Sequence, residues 1–393
     1  MTIEQIHPHT TLRDVDEAFQ KTLHMPDLGA LHVVLATLAA NRMEGTPVWL
    51  LLIGPPASAK TETVETLCDL GDVFTLSTTT KAGLLSGSSE QGGTGGVLME
   101  AGSSFVLVLK DFTTICSEHA STRGEVLAIF RELFDGRFER AVGTGGGRML
   151  KWRGRAGCIA CATEAIDTVD MANFGERWVR YRLPASSPDN RFLTGLVALE
   201  SLGHEPEHRS RRRRAVTAFF AGLDLPERPP VLSSSEQDRL IQLADLATRC
   251  RSGVVWGGPH GDEMLQVPQP EEVPRLVAEL GQLAAGLNAI GVSDPERWRL
   301  LEKCALDAMS AMRRKVLQTL VASELDCTTA TIAGRCRLPQ TTARRHLQEL
   351  AALGLCDLTG DRPERWCVSG WLAERWRELG LVAGSPSSDE AGR

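Results

Sequence analysis

The sequence predicts an α/β fold: a parallel sheet early in the chain, then a mostly helical region and a small helical C-terminal domain. Three observations predict it. Short apolar runs alternate with helical stretches between residues 47 and 184, as in a sheet whose strands are joined by crossover helices. A Gly/Pro-rich loop follows the first of those runs and opens a helix. After Pro184 the apolar periodicity becomes mostly helical.

Taken in order, residues 1–45 read as helical, with Leu31, Val34, Leu35, Leu38 and Ala39 on one face of the stretch Leu28–Arg42. A strand is expected at Val48–Ile53 and a helix from Lys60 to Leu70. The Gly/Ser-rich stretch Gly83–Gly96 leads to a second strand, Phe105–Leu109. A helix over Arg123–Phe134, a glycine-rich hairpin at Gly143–Gly147 and a strand at Gly157–Ala162 complete the sheet region. Beyond Pro184, Pro and Gly cluster at Pro226–Pro230 and Gly257–Pro270 as loops between helices. The expected organisation is an N-terminal helical segment (1–45), an α/β core (46–185), a helical lid (186–310), a C-terminal domain (311–380) and a disordered Ser/Gly/acidic tail (381–393).

The chain has 393 residues, enough for two or three domains, and its 42% hydrophobic and 24% charged residues are the balance of a globular protein. A net charge of −7 excludes a global basic field, so any contact with nucleic acid must come from local patches. The longest apolar run, Val48–Ile53, is far short of a membrane span, and Met1–Thr11 has no signal-peptide pattern. A cytoplasmic protein with no membrane partner is expected. The ten cysteines are scattered, which suits a reducing compartment. Cys158 and Cys161 form a CxxC inside an apolar run; strand alternation sends them to opposite faces, so buried thiols are expected rather than a metal site.

The segment Gly54-Pro55-Pro56-Ala57-Ser58-Ala59-Lys60-Thr61 stands between strand and helix, the context a phosphate-binding loop requires. Its backbone N–H groups would hold the phosphates of ATP, Lys60 would supply a compact positive charge, and the Thr61 hydroxyl would ligate Mg²⁺. The position before the lysine carries Ala59 in place of glycine, and a methyl group there is tolerable only with a negative φ. ATP hydrolysis also needs a carboxylate at the end of a neighbouring strand. Phe105–Leu109 is followed by Lys110-Asp111, so Asp111 is either the Mg²⁺-side acid or the water-activating one. A turn-capping role is the alternative.

With these residues in place the chain resembles the AAA+ ATPases, in particular the branch of enhancer-binding activators and minichromosome maintenance helicases. The resemblance rests on Val126–Gly143, on Cys158-Ile-Ala-Cys-Ala-Thr163-Glu164 and on Phe174-Gly-Glu-Arg177-Trp-Val-Arg180-Tyr-Arg182-Leu, and it spans about Pro47–Pro184. It implies a P-loop NTPase core in a homo-oligomeric ring. Thr163 or Glu164 would occupy the position that senses the terminal phosphate. Arg177, with Arg180 nearby, would reach a neighbouring subunit as an arginine finger. Arg275, at the start of a lid helix, would be a second phosphate sensor. The loop by which the activators contact a sigma factor has no counterpart. Gly92–Gly96 stands in its place and suits a small pore loop.

At the C-terminal end, helices at Met312–Ala322, Thr329–Cys336 and Gln340–Leu353 precede a strand–turn–strand from Gly354 through Trp366-Cys-Val. Thr328 or Thr329, and Thr341, suit N-caps, and Leu317, Leu320, Ile332, Ala333, Leu347, Leu350 and Leu353 could close one small core. This pattern resembles a winged helix-turn-helix. DNA would then be read by Gln340, Thr341, Thr342, Arg344 and Arg345, with Arg362 and Arg365 of the wing on phosphates. The run Arg209–Arg214 is a second nucleic-acid stripe or a solvated helix face. The expected function is an oligomeric ATP-driven DNA motor, helicase or helicase loader. The alternatives are a nucleotide-switched DNA-binding regulator, and a protein-remodelling ATPase whose winged helix docks a protein partner.

Overall fold

The computed structural model describes residues 10–77, 100–142, 148–169, 177–323 and 325–381. The chain forms two compact units, one of residues 1–166, 181–230 and 282–300, the other of residues 167–180, 231–281 and 301–393.

The first unit opens with helix α1 (Leu12–Gln20), closed at its start by a capping box between Thr11 and Asp14. Helix α2 (Gly29–Arg42) is buried almost all round, including every residue from Val33 to Asn41, rather than on the single face its periodicity suggests. Such a helix has to sit inside a core. Asn41 joins it to the sheet: its amide donates to Val48 O at 2.8 Å and its carbonyl accepts from Val48 N at 3.0 Å. A glycine is required opposite, because a Cβ on Gly157 would lie 2.4 Å from the Asn41 side chain.

A five-stranded parallel sheet follows. Its strands are β1 (Trp49–Ile53), β2 (Val73–Leu76), β3 (Ser104–Leu109), β6 (Arg155–Ala162) and β7 (Val179–Arg182), in the order β2-β3-β6-β1-β7. All five side chains of β1 are buried, as a strand covered on both faces demands. Between β1 and β2 lie helix α3 (Lys60–Val64) and a 3₁₀ turn, Glu65–Leu67. After β3 come α4 (Phe112–Ser117) and α5 (Ala120–Phe134). Trp49 packs edge-on against Phe130 and Phe134 of α5, with ring centroids 5.7 and 5.4 Å away, and its indole donates to Ala156 O at 2.7 Å. Strands β4 (Arg137–Val142) and β5 (Arg148–Arg153) form a separate antiparallel ribbon. The hairpin tip expected at Gly143–Gly147 lies outside the described residues, as do Gly83–Gly96 and the tail from residue 382.

Register brings three strand ends level. Ile53 pairs with Ala162 and Leu109 with Ala160 in parallel ladders. The chain therefore leaves the sheet at Gly54, at Asp111 and at Thr163 along one common edge. Beyond β7 run α6 (Pro188–Glu200) and α7 (Glu205–Ala221).

The second unit contains α8 (Ser234–Arg251), a short ribbon of β8 (Val255–Gly257) and β9 (Glu263–Gln266), and the chain from residue 301 on, while residues 282–300 belong to the first unit. Helices α9 (Pro274–Ala289) and α10 (Asp294–Asp307) lead to α11 (Ala311–Val321), β10 (Cys327–Thr328), α12 (Thr329–Cys336) and α13 (Gln340–Ala352). Strands β11 (Cys356–Asp361) and β12 (Glu364–Val368) form an antiparallel pair, and α14 (Gly370–Glu378) ends the described chain. Leu317, Leu320, Ile332, Ala333, Leu347, Leu350 and Leu353 are all buried, together with Val316, Leu355, Trp366 and Leu372. Full burial of such side chains contributes about 1.5–3 kcal/mol each. Thr328 caps α12 through Thr331 N, whereas α13 starts at Pro339 without a side-chain cap, so Thr341 is not an N-cap.

No helix among the described residues is long and apolar enough to cross a membrane.

Candidate functional site

The strand edge that carries Gly54, Asp111 and Thr163 is the centre of the site. Gly54 N donates to Ala162 O at 3.2 Å, tying the root of the loop to β6. Pro55, Pro56 and Ala57 are exposed, and the chain turns back at Ser58, whose hydroxyl donates to Pro55 O at 2.7 Å. Ala57 and Ala59 both adopt left-handed backbone conformations, with φ of +59° and +62°. The negative φ that would make a methyl group tolerable at Ala59 is not adopted. The loop keeps the turn a glycine would make and carries the methyl group regardless, which strains the backbone.

Lys60 is 8% exposed and lies folded against the loop. Its ammonium donates to Gly54 O at 2.8 Å, Pro55 O at 2.6 Å and Ser58 Oγ at 3.1 Å. Burial pushes this ammonium below its ordinary range. Cys161 beside it is itself pushed up to about 12 by burial and stays a neutral thiol at pH 7. The charges that favour the ammonium are therefore Asp111 and Glu164. The same interactions bring the lysine, the strand-end acid and Glu164 into one electrostatic site. Thr61 is exposed beside it.

Asp111 caps α4 with both oxygens, accepting from Thr114 N at 3.2 Å and from Thr114 Oγ1 at 2.6 Å. Capping is thus part of its work, and Asp111 remains exposed, with its charge felt at Lys60. Lys110, which stands where a second acid would be expected, is bound to Glu65 at 2.6 Å. Thr163 is held by α4, its N–H donating to Thr113 Oγ1 at 2.9 Å, while Glu164 is exposed at the start of a 3₁₀ turn. No cluster of three metal-ligating side chains occurs among the described residues. Mg²⁺ does not need one, because it keeps several waters and takes one or two protein oxygens along with phosphate. Exposed Thr61 and Asp111 offer hard oxygens of that kind.

A pocket of about 640 Å³ opens beside the loop, a volume suited to a small-molecule ligand. Ala57, Ser58, Ala59, Lys60, Thr61 and Glu62 form one wall. The loop between α1 and α2 forms another, through Thr22 to Asp27, and Leu183, Pro184 and the helices α6 and α7 complete it. His24 of that loop bonds Asn190 of α6 at 3.0 Å. The run Arg209–Arg214 is not a uniformly solvated face. Arg212 is buried and pairs with Glu62, Arg209 pairs with Glu62 at 3.0 Å, and Arg213 lies 3.8 Å from Asp69. Sequence reasoning missed Glu62 and His208 and saw Arg209 and Arg212 only as members of a basic run. The available signal was that residues 205, 208, 209 and 212 share one helix face.

Arg275 belongs to the second unit, bound to Glu271 at 2.7 and 2.5 Å, and is not among the residues that line this pocket. Arg177 is half-buried just before β7, and Arg180 is buried within that strand. Most of the preceding segment of the resemblance, residues 170–176, lies outside the described residues.

On α13, Gln340, Thr341, Arg344 and Arg345 are exposed and Thr342 is half-buried; Arg362 and Arg365 are exposed on the β11–β12 pair. The helix arginines are nonetheless engaged within their own unit. Arg344 Nη2 donates to Glu364 at 2.6 Å, and Arg345 stacks over Trp256 of β8 at 4.6 Å from the ring centroid. Beneath them Glu349 accepts from the Trp256 indole at 2.9 Å and pairs with Arg313 at 3.0 Å and His346 at 2.9 Å. Burial alone would raise this carboxyl, but the His346 hydrogen bond and the Arg313 charge outweigh it and lower it to about 2.

No family profile and no curated protein matches the chain. Among solved structures it is similar to "The A form apo structure of NrS-1 C terminal region-CTR", at 12% identity and a TM-score of 0.33, over 91% of this chain and 75% of that one. A second structure of that region, "CTR(305-718)", matches at 11% identity and a TM-score of 0.29 over the same shares. A likeness this faint carries no weight for fold or activity.

Proposed function

We propose that this chain is an ATP-binding and hydrolysing P-loop protein of the AAA+ type, with a C-terminal winged helix that contacts DNA, working in the cytoplasm as an oligomeric motor, helicase or helicase loader. One observation carries the nucleotide reading. A buried lysine follows a strand–loop turn at the level where two further strands end in Asp111 and Thr163, and it borders a ligand-sized pocket. Phosphate oxygens would replace the loop carbonyls that Lys60 now contacts, and the same ammonium would neutralise them. Thr61 and Asp111 would hold Mg²⁺, which when bound supplies charge neutralisation to the phosphates. In this reading Thr163 or Glu164 would contact the terminal phosphate, and Arg177 would reach a neighbouring subunit's site. Phe192, Leu196 and Leu199, spaced along one face of α6 and 73%, 42% and 66% exposed, support self-association.

The test is a calorimetric titration of MgATP into Lys60→Ala. Affinity should fall by more than about tenfold, or ~1.4 kcal/mol, with a melting temperature showing that the fold survives. Unchanged affinity in a folded variant overturns the P-loop assignment.

A second reading is a nucleotide-switched DNA-binding regulator. The observation that favours it is the engagement of both helix arginines, Arg344 with Glu364 and Arg345 with Trp256, so that DNA contact requires their release. ATPase turnover with and without single- and double-stranded DNA separates the two, since a motor is stimulated and a switch is not.

A further inference from the structure

Strand β3 leaves the sheet through Lys110 and Asp111, so a cation precedes the acid on the edge where Gly54 and Thr163 also emerge. The Lys110 side chain reaches across to the helix that follows the loop. Its ammonium donates to Glu65 Oε1 at 2.6 Å, and both side chains are partly buried, 29% and 21% exposed. Glu65 N donates to Thr61 O, which sets Glu65 one turn after Thr61. Residues four apart share a helix face, with Cβ atoms about 5–6 Å apart, and helical side chains lean towards the N-terminus. The Lys110–Glu65 pair therefore lies on the face of α3 that carries Thr61, the expected Mg²⁺ ligand. An ammonium has three N–H donors, and Glu65 is the one hydrogen-bond partner of Lys110 Nζ among the described residues. Two donors remain for a ligand.

A second strand-end acid would bring negative charge to help hold Mg²⁺. Lys110 brings the opposite charge to that place. The metal is left with Thr61 and Asp111, and Asp111 is already shared with Thr114. A divalent cation is repelled by a fixed ammonium beside it, whereas a polyphosphate is attracted. Glu65 orients that ammonium and occupies a single donor. Resting on the nucleotide reading of the loop, we propose that Lys110 is a built-in cation that takes over part of the metal's role. The site then binds a metal-free nucleoside triphosphate nearly as tightly as its Mg²⁺ complex. Lys60 meets the phosphates from the loop and Lys110 from the end of β3, with Glu65 as the positioning residue of the second lysine. Capture of nucleotide is thereby uncoupled from the divalent metal.

The experiment is calorimetry of the full chain with ATP, in Mg²⁺ and in EDTA, with a thermal melt of each protein. The proteins are wild type, Lys110→Met, a double variant carrying both Lys110→Met and Glu65→Gln, and Lys60→Ala. Wild type should lose less than about tenfold in affinity when EDTA replaces Mg²⁺. Lys110→Met should weaken metal-free ATP by about tenfold, the loss of one charge-assisted hydrogen bond, and change MgATP by less than about threefold. The double variant removes the pair whole and should show the same change without leaving Glu65 unpaired. It decides the matter should Lys110→Met fail to fold. A wild-type loss of about tenfold or more in EDTA overturns the proposal. So does equal weakening of ATP and MgATP, or no change in either, in the folded variants. In those cases a loss of MgATP binding by Lys60→Ala leaves the nucleotide reading standing. If Lys60→Ala binds MgATP as wild type does, that reading fails and this proposal with it.

Discussion

Ala59 is the residue at which the loop should respond most cleanly to a single change. It holds φ at +62° and ψ at +7°, a left-handed conformation immediately before Lys60. An L residue pays about 1–2 kcal/mol to adopt that region, because Cβ crowds the following carbonyl oxygen. Glycine avoids the crowding but gives back about 0.4–1 kcal/mol through the greater freedom of its unfolded chain. Ala59→Gly should therefore stabilise the protein by roughly 0.5–1 kcal/mol, raising the melting temperature by about 1–4 °C for a domain of this size. Ala59→Val should do the opposite and more strongly, since a β-branched residue tolerates positive φ poorly. The assay is a thermal melt of the three proteins without nucleotide, repeated with MgATP. Nucleotide should raise all three melting temperatures if the loop cradles phosphate, because binding only the folded form adds stability by mass action. A lower melting temperature for the glycine variant, together with a tolerated valine, would show that residue 59 is right-handed in solution and would refute the reasoning.

Asp111→Asn should keep the cap on α4, because Asn caps as well as Asp, yet bind ATP without hydrolysing it; Asp111→Ala should in addition lose about 1 kcal/mol of stability. Wild-type turnover by Asp111→Asn would leave Asp111 as a cap alone and move the chemistry to an acid such as Glu164. The Glu349 carboxyl, lowered to about 2 from an ordinary 4.5, contributes stability that is complete above pH 4.5 and lost as pH falls towards 2. Glu349→Gln should consequently melt with a shallower dependence between pH 5 and pH 3 than wild type, and identical profiles would dismiss that carboxylate as an acid-sensitive anchor. Trp256→Ala should free Arg345 and strengthen DNA binding, with the salt dependence steeper by about one unit of slope. Weaker binding by that variant would mean that Trp256 touches DNA itself.

The parts of the site that were legible in the sequence are those built from neighbours. Val48–Ile53, Phe105–Leu109 and Gly157–Ala162 are apolar runs too short for core helices, and each forms a buried strand in the sheet. Lys60 and Asp111 follow directly at strand ends, so parallel pairing was enough to bring them to one edge. Three features were not legible, each for a different reason. The positive φ of Ala59 depends on the closure of the loop, whose residue types alone argue for the opposite sign. The α7 arginines were visible as a run, but a run does not reveal helix phase against a partner. Arg212 is buried while Arg211 and Arg214 are exposed because only one face of α7 meets Glu62. Arg344 and Arg345 find their partners at Glu364 and Trp256, on strands that only the tertiary fold brings beside α13. The consequence for function is specific. Arginines predicted to be available for DNA are engaged by partners inside the unit, Arg344 by Glu364 and Arg345 by Trp256. A DNA phosphate meeting Arg344 would therefore have to displace Glu364. Such an exchange of partners would give binding a way to move a helix that was docked before it arrived.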